Sequence, residues 1–135
     1  WPPDVVHCHG WMTSLIPFYL KTAYKKEPVF AKSKVVYSLY DNDFKETLNK
    51  SFTDLALLEN VKPAEFDLFK KGNHQSLMEG AISYADGVVA GSANVDAKLL
   101  EFAKSKKKAI IPFNGMEEGY LDAYNDFYRK MLSAK

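Results

Sequence analysis

Four short apolar runs punctuate the chain, at Val5-Val6, Val35-Val36-Tyr37, Val88-Val89-Ala90 and Ala109-Ile110-Ile111. Branched β-carbons fit a pleated surface, and short apolar runs bounded by turn residues read as strands buried on both faces. Between the runs lie residues three and four apart that form helical stripes. They are Trp11, Leu15, Phe18, Tyr19, Ala23 and Tyr24; Leu77, Ala81, Ile82 and Ala85; and Val95, Leu99, Leu100 and Phe102. Parallel strands need long crossovers, so strands alternating with helices imply a parallel sheet covered on its faces. The expected fold is α/β, three layers α/β/α around a parallel sheet of about four strands. A chain of 135 residues suffices for one such core.

Expected strands are Asp4 to His9, Ser33 to Tyr40, Val88 to Ala90 and Ala109 to Ile111. Expected helices run from about Trp11 to Tyr24, with Pro17 able to shift the start, from His74 to Ala85, from a cap at Asn94 to Lys104, and from Gly119 to Leu132. Residues 41–71 read as an excursion with weaker helical patterns at Phe44–Leu48 and Thr53–Leu58, a break at Pro63 and an apolar piece at Phe66–Phe69. The chain shows no internal repeat and no low-complexity tract.

Lys and Arg number 18 against 17 acidic residues, so no net field favours nucleic acid or an anionic membrane. The run Lys106 to Lys108 reads as a solvated connection. One cysteine, Cys8, excludes an intramolecular disulfide and fits a reducing, cytoplasmic setting. No apolar run approaches the roughly 20 residues that span a bilayer. The opening Trp1-Pro2-Pro3, almost on a strand and without an initiator Met, suggests a piece of something longer.

The candidate chemistry clusters at Asp4 to Trp11. Ligands of open parallel sheets bind beyond the carboxyl ends of the strands, which places His9 and Gly10 at a crevice. His7 and His9, two apart on a strand, share a face. Two histidines fall short of the three or four protein ligands of a zinc site, so no metal and no cofactor is expected. His7 reads as a half-buried, hydrogen-bonded histidine, while His9 can meet a sugar hydroxyl or phosphate oxygen. Gly87, Gly91 and Gly115 stand alone and form no phosphate loop. No serine lies on a Gly-x-Ser-x-Gly turn. Tyr120, Tyr124, Phe127 and Tyr128 read as a packing seam on the last helix rather than a carbohydrate platform.

Val5-Val6-His7-Cys8-His9-Gly10-Trp11, followed by Leu15-Ile16-Pro17 and Tyr19-Leu20-Lys21, resembles the bacterial glycogen synthase and plant starch synthase family. That family carries Val-Val-His-x-His-Asp-Trp and then Leu-x-Pro-x-Tyr-Leu. Tyr84-Ala85-Asp86 with Ser92 is similar to its Ala-Asp-x-x-x-x-Val-Ser-Pro segment, and Asn114-Gly115-Met116-Glu117 to its Asn-Gly-Ile/Val-Asp turn. The resemblance implies a Rossmann-like fold, the later part of the amino-terminal domain of a two-domain GT-B glycosyltransferase, close to short members that keep only that domain. Residues 1–135 would form a single partial domain of this kind.

The family reaction, as the resemblance implies it, transfers glucose from ADP-glucose to an α-1,4-glucan with retention. His9 would contact the donor glucose, Asn114 would line the same site, and Gly10 stands where the family has aspartate. Other departures are Met12 for histidine, Ser38-Leu39-Tyr40-Asp41 for Thr-Ile-His-Asn, Glu79 for lysine and Ala93 for proline. The basic pair and glutamate of the second domain are not in this chain, so the piece alone is expected to be inactive. The alternative expectation is a non-catalytic module of the same fold that binds a sugar, a nucleotide or a protein. A truncated sheet also leaves an open edge, through which two copies could pair as a homodimer.

Overall fold

The computed structural model describes residues 1–115 and 117–134; Met116, inside the expected Asn-Gly turn, lies outside them. Strands β1 (Val5–His9), β2 (Lys34–Leu39), β3 (Gly87–Ala90) and β4 (Ala109–Ile111) form one parallel sheet in the order β1-β2-β3-β4. Register pairs His7 with Val36, His9 with Ser38, Ser38 with Val89 and Val88 with Ile110. Each strand is added on the same side of the last. Right-handed crossovers then carry every connecting helix to the same face.

Helices α1 (Leu15–Lys21), α3 (His74–Tyr84) and α4 (Ala97–Ser105) share that face. There Cys8, Val35, Tyr37, Leu39 and Val88 meet Phe18, Leu77, Met78, Ala81, Ile82, Leu99 and Ala103 in one core. The last helix, α5 (Tyr120–Ser133), covers the opposite face, with Phe127 and Met131 packed on Val36 and Val89. The strand period of two sorts odd residues of β2 to the first core and even residues to the second. The fold is therefore α/β and Rossmann-like, with one helix forming the entire third layer among the described residues.

Several boundaries differ from those the spacing suggests. The helix expected from Trp11 begins as a 3-10 turn at Trp11–Thr13, and α1 occupies only Leu15–Lys21. Pro17 sits in the first turn of α1, where no intrahelical partner for its nitrogen is required. The Phe44–Leu48 helix does not form. The Leu48 amide instead donates to the Gly72 carbonyl at 2.9 Å, and Phe44 lies against Trp11 with ring centroids 4.9 Å apart.

Pro63 opens a 3-10 helix (Pro63–Phe69) rather than breaking one, after the short α2 (Phe52–Ala56). The cap of α4 is Asp96, whose carboxylate accepts from the Lys98 amide at 2.9 Å, two residues beyond Asn94. Lys108 also departs from the reading of a solvated run. Its half-buried Nζ donates to the carbonyls of Ser83 (2.9 Å) and Ala85 (2.7 Å), capping the end of α3, and burial pulls its pKa down. Lysine side chains near a helix C-terminus can hydrogen-bond its last carbonyls and interact favourably with the helix dipole, which offsets part of the cost of burial.

The excursion at 41–71 supplies two fully buried rings, Phe66 and Phe69, which lie 5.5 and 5.3 Å from Phe18. Phe18 is itself fully buried, against Tyr19 and Tyr84 as well. Removing its ring leaves a cavity joining α1, α3 and the excursion. Phe18→Ala is expected to cost about 3–5 kcal/mol, read as a lower urea midpoint.

Candidate functional site

β1 runs into Gly10, which adopts φ 76° and ψ 173°, a backbone region open essentially to glycine alone. The Gly10 amide continues the ladder by donating to the Ser38 carbonyl at 3.2 Å. Its own carbonyl accepts from the Tyr37 hydroxyl at 2.6 Å and from Thr13 Oγ1 at 3.0 Å. This turn ends the strand so that His9 is exposed at its carboxyl end while Cys8 is 3% exposed in the core. Burial pushes the Cys8 thiol up to about 11, which leaves it inert as a nucleophile near neutral pH. An aspartate, the family residue at position 10, would be strained in this backbone.

His7 and His9 point to the α5 face and stack with ring centroids 4.1 Å apart and planes 21° apart. Both nitrogens of His7 are engaged, Nδ1 with the Tyr128 hydroxyl at 2.5 Å and Nε2 with Ser38 Oγ at 2.7 Å. A neutral imidazole has one donor and one acceptor, and each hydroxyl can complement either. Burial first, then the neighbouring His9, lowers the His7 pKa from 6.5 to about 4. His7 is therefore a neutral structural imidazole near pH 7, with no lone pair left for a metal.

His9 differs in its environment by two residues of strand. Its Nδ1 is 2.8 Å from the Tyr40 hydroxyl, and its Nε2 has no partner among the described residues. Tyr40 follows β2, so the alternation that aligns Val36 and Ser38 carries it to the same face as His9. Tyr124 on α5 lies near Tyr40 and 6.2 Å from the His7 ring. Tyr120, Tyr124 and Tyr128, one helical turn apart, form the α5 wall of this end of the sheet. The packing-seam reading holds for Phe127, which is buried, whereas Tyr128 also holds His7.

On the other side of Tyr40 an open cleft of about 130 Å³ is lined by Asp41, Asp43, His74, Asn94, Asp96 and Leu99. Three carboxylates and no lysine or arginine face it. Burial lowers the His74 pKa even against the opposing pull of Asp43 and Asp96. Asn114 is exposed in the loop after β4 and makes no side-chain hydrogen bond among the described residues. The ends of β1 and β4 stand three inter-strand steps apart, about 14 Å, so His9 and Asn114 do not form one compact pocket. Tyr40, Ser38, Tyr128 and Gly91 carry the local geometry, although the sequence points only to His9, Gly10 and Asn114 as site residues. The period of two at the end of β2 was the signal available for Tyr40.

The fold and this strand-end site define a Rossmann-like α/β domain with its polar face at the carboxyl ends of β1 and β2. A family model described as the starch synthase catalytic domain matches residues 1–109. The chain belongs to that family. It is 34% identical over 126 residues to a glycogen synthase of Photobacterium profundum, covering 93% of this chain and 23% of that protein. It is 32% identical over 99 residues to one of Vibrio cholerae, covering 73% and 20%. It is likewise 32% identical over 93 residues to one of Chlorobaculum parvum, covering 68% and 18%. The chain thus spans about a fifth of the length of these curated relatives. No solved structure matches it. No helix among the described residues is long and apolar enough to cross a membrane.

The depressed pKa of His7 has a definite sign. Between about 6.5 and about 4 the unfolded chain binds a proton that the folded chain refuses, so stability falls as pH drops through that window and levels off below it. In urea titrations across this range, the wild type is expected to lose more stability than His7→Gln, which cannot titrate.

Proposed function

We propose that this chain is one partial Rossmann-like domain of a glycogen synthase-type glycosyltransferase, acting in the cytoplasm to move glucose from ADP-glucose to an α-1,4-glucan. The observation that carries this reading is the exposed His9 at the end of β1, with Nδ1 occupied and Nε2 without a partner among the described residues. An imidazole N–H there can hold a glucose hydroxyl and favour negative charge on the departing phosphate, a positioning and electrostatic contribution. Gly10 keeps the strand end free of side-chain bulk: a Cβ there would meet only the Asn42 amide at 3.9 Å. Asn114 would touch the same ligand farther along the sheet, as an extended nucleotide sugar permits.

The acidic cleft beyond Tyr40 favours a second reading. Asp41, Asp43 and Asp96 repel a diphosphate but accept hydrogen bonds from sugar hydroxyls. That environment suits a non-catalytic module that binds a neutral glucan.

Calorimetric titration separates the two. ADP-glucose is expected to bind more tightly than ADP or UDP-glucose, and His9→Ala to weaken it about tenfold, a loss of about 1.4 kcal/mol. Binding of a maltooligosaccharide with no response to ADP-glucose supports the second reading and overturns the first for this chain.

The edge of β1 away from β2 has no strand partner among the described residues. Two copies pairing through it would give a homodimer. Light scattering at high concentration is expected to show twice the chain mass, and a monomer there rules the pairing out.

A further inference from the structure

One ring nitrogen of His9, Nε2, is without a partner among the described residues, and two contacts hold the ring in place. Its Nδ1 meets the Tyr40 hydroxyl at 2.8 Å, and its ring stacks on His7 at 4.1 Å. His7 is itself pinned at both nitrogens by Tyr128 and Ser38. Tyr40 in turn is seated on a bare stretch of backbone. A Cβ built on Gly91 would come within 2.6 Å of Tyr40 Cε1, 2.7 Å of Cζ and 2.9 Å of the Leu39 carbonyl. The tyrosine ring occupies space that only a glycine at position 91 leaves open. Gly91 is thus placed by close approach rather than by a turn that needs positive φ, which it does not have.

We propose that Tyr40 is a positioning residue that fixes the proton of His9 on Nε2, so that the open nitrogen always presents an N–H to the crevice. A phenol O–H is a stronger donor than a neutral imidazole N–H, and the bare imidazole nitrogen is a stronger acceptor than a phenol oxygen. The Tyr40 hydroxyl has no other partner among the described residues, so it donates to Nδ1 of neutral His9 and leaves the proton on Nε2. When the ring is protonated, Nδ1 donates to the Tyr40 oxygen and Nε2 still carries its proton. In both states the ligand meets a donor, suited to a hydroxyl or phosphate oxygen and unsuited to another N–H.

This inference rests on the reading of His9 as a donor-sugar residue, and it separates from that reading in the test. Long-range proton–nitrogen NMR of the imidazole rings, at pH about 8 where an ordinary histidine is neutral, reads the tautomer directly. The full chain is expected to show His9 as the Nε2–H form. Tyr40→Phe, which keeps the ring and removes the hydroxyl, is expected to give a mixture of tautomers. Gly91→Ala, which keeps the hydroxyl and displaces the ring, is expected to do the same.

In parallel calorimetry each variant is expected to bind ADP-glucose several-fold more weakly. An Nδ1–H form in the wild type, or a tautomer unmoved by Tyr40→Phe, overturns the positioning role whatever the ligand does. The expected tautomers in a folded chain that ignores ADP-glucose uphold the role of Tyr40 and overturn the donor-sugar reading instead.

Discussion

Everything in this molecule depends on the burial of β2. Val35, Val36, Tyr37, Ser38 and Leu39 are all nearly inaccessible, because the strand is paired on both edges and covered on both faces. A strand in that position must satisfy its backbone through its neighbours and its side chains through two different layers. The odd residues meet a thick apolar layer of three helices, and the even ones meet the single helix α5. Asp86 secures the start of the arrangement. Its carboxylate accepts from the Val35 amide at 2.7 Å and pairs with Lys21 at 2.7 Å, while its own amide donates to the Val35 carbonyl at 2.7 Å.

The two faces differ in chemistry for the same reason. The three-helix side is apolar, and its one strand hydroxyl, Tyr37, is bonded to Gly10. The α5 side is thinner and polar toward the strand ends, where Ser38, His7, Tyr128, His9 and Tyr40 form a series of hydrogen bonds. Burial decides what each imidazole can do. His7, half-buried and doubly bonded, remains neutral and structural, whereas His9, two residues on, is exposed and keeps one nitrogen without a partner among the described residues. Two histidines of one motif therefore have different surroundings.

Tyr40 changes the meaning of the departures from the family pattern. The loss of a histidine at that position looks, in sequence, like the loss of a polar contact. In the fold the tyrosine takes up a hydrogen bond to His9 and is accommodated by Gly91. Gly10 has a comparable logic, since its backbone conformation suits glycine and not the family aspartate. Charge runs the other way: the neighbouring cleft is acidic, so any diphosphate must lie away from it.

The sequence by itself determined the order of strands and helices along the chain, the parallel sheet, the shared face of His7 and His9, and the place of His9 at a strand end. Periods of two and 3.6 are local properties that survive into any compact state of this chain. It also carried the family, through a motif whose residues are contiguous. Only the tertiary structure decided that the excursion at 41–71 buries Phe66 and Phe69, that Leu48 bonds Gly72 rather than its own helix, and that Lys108 caps α3. The same holds for Tyr40 and Tyr128, which reach His9 and His7 across 31 and 121 residues of chain. Such contacts join residues far apart in the chain, and their geometry is set by packing between layers, so a local period gives at most the face a residue takes and not its partner.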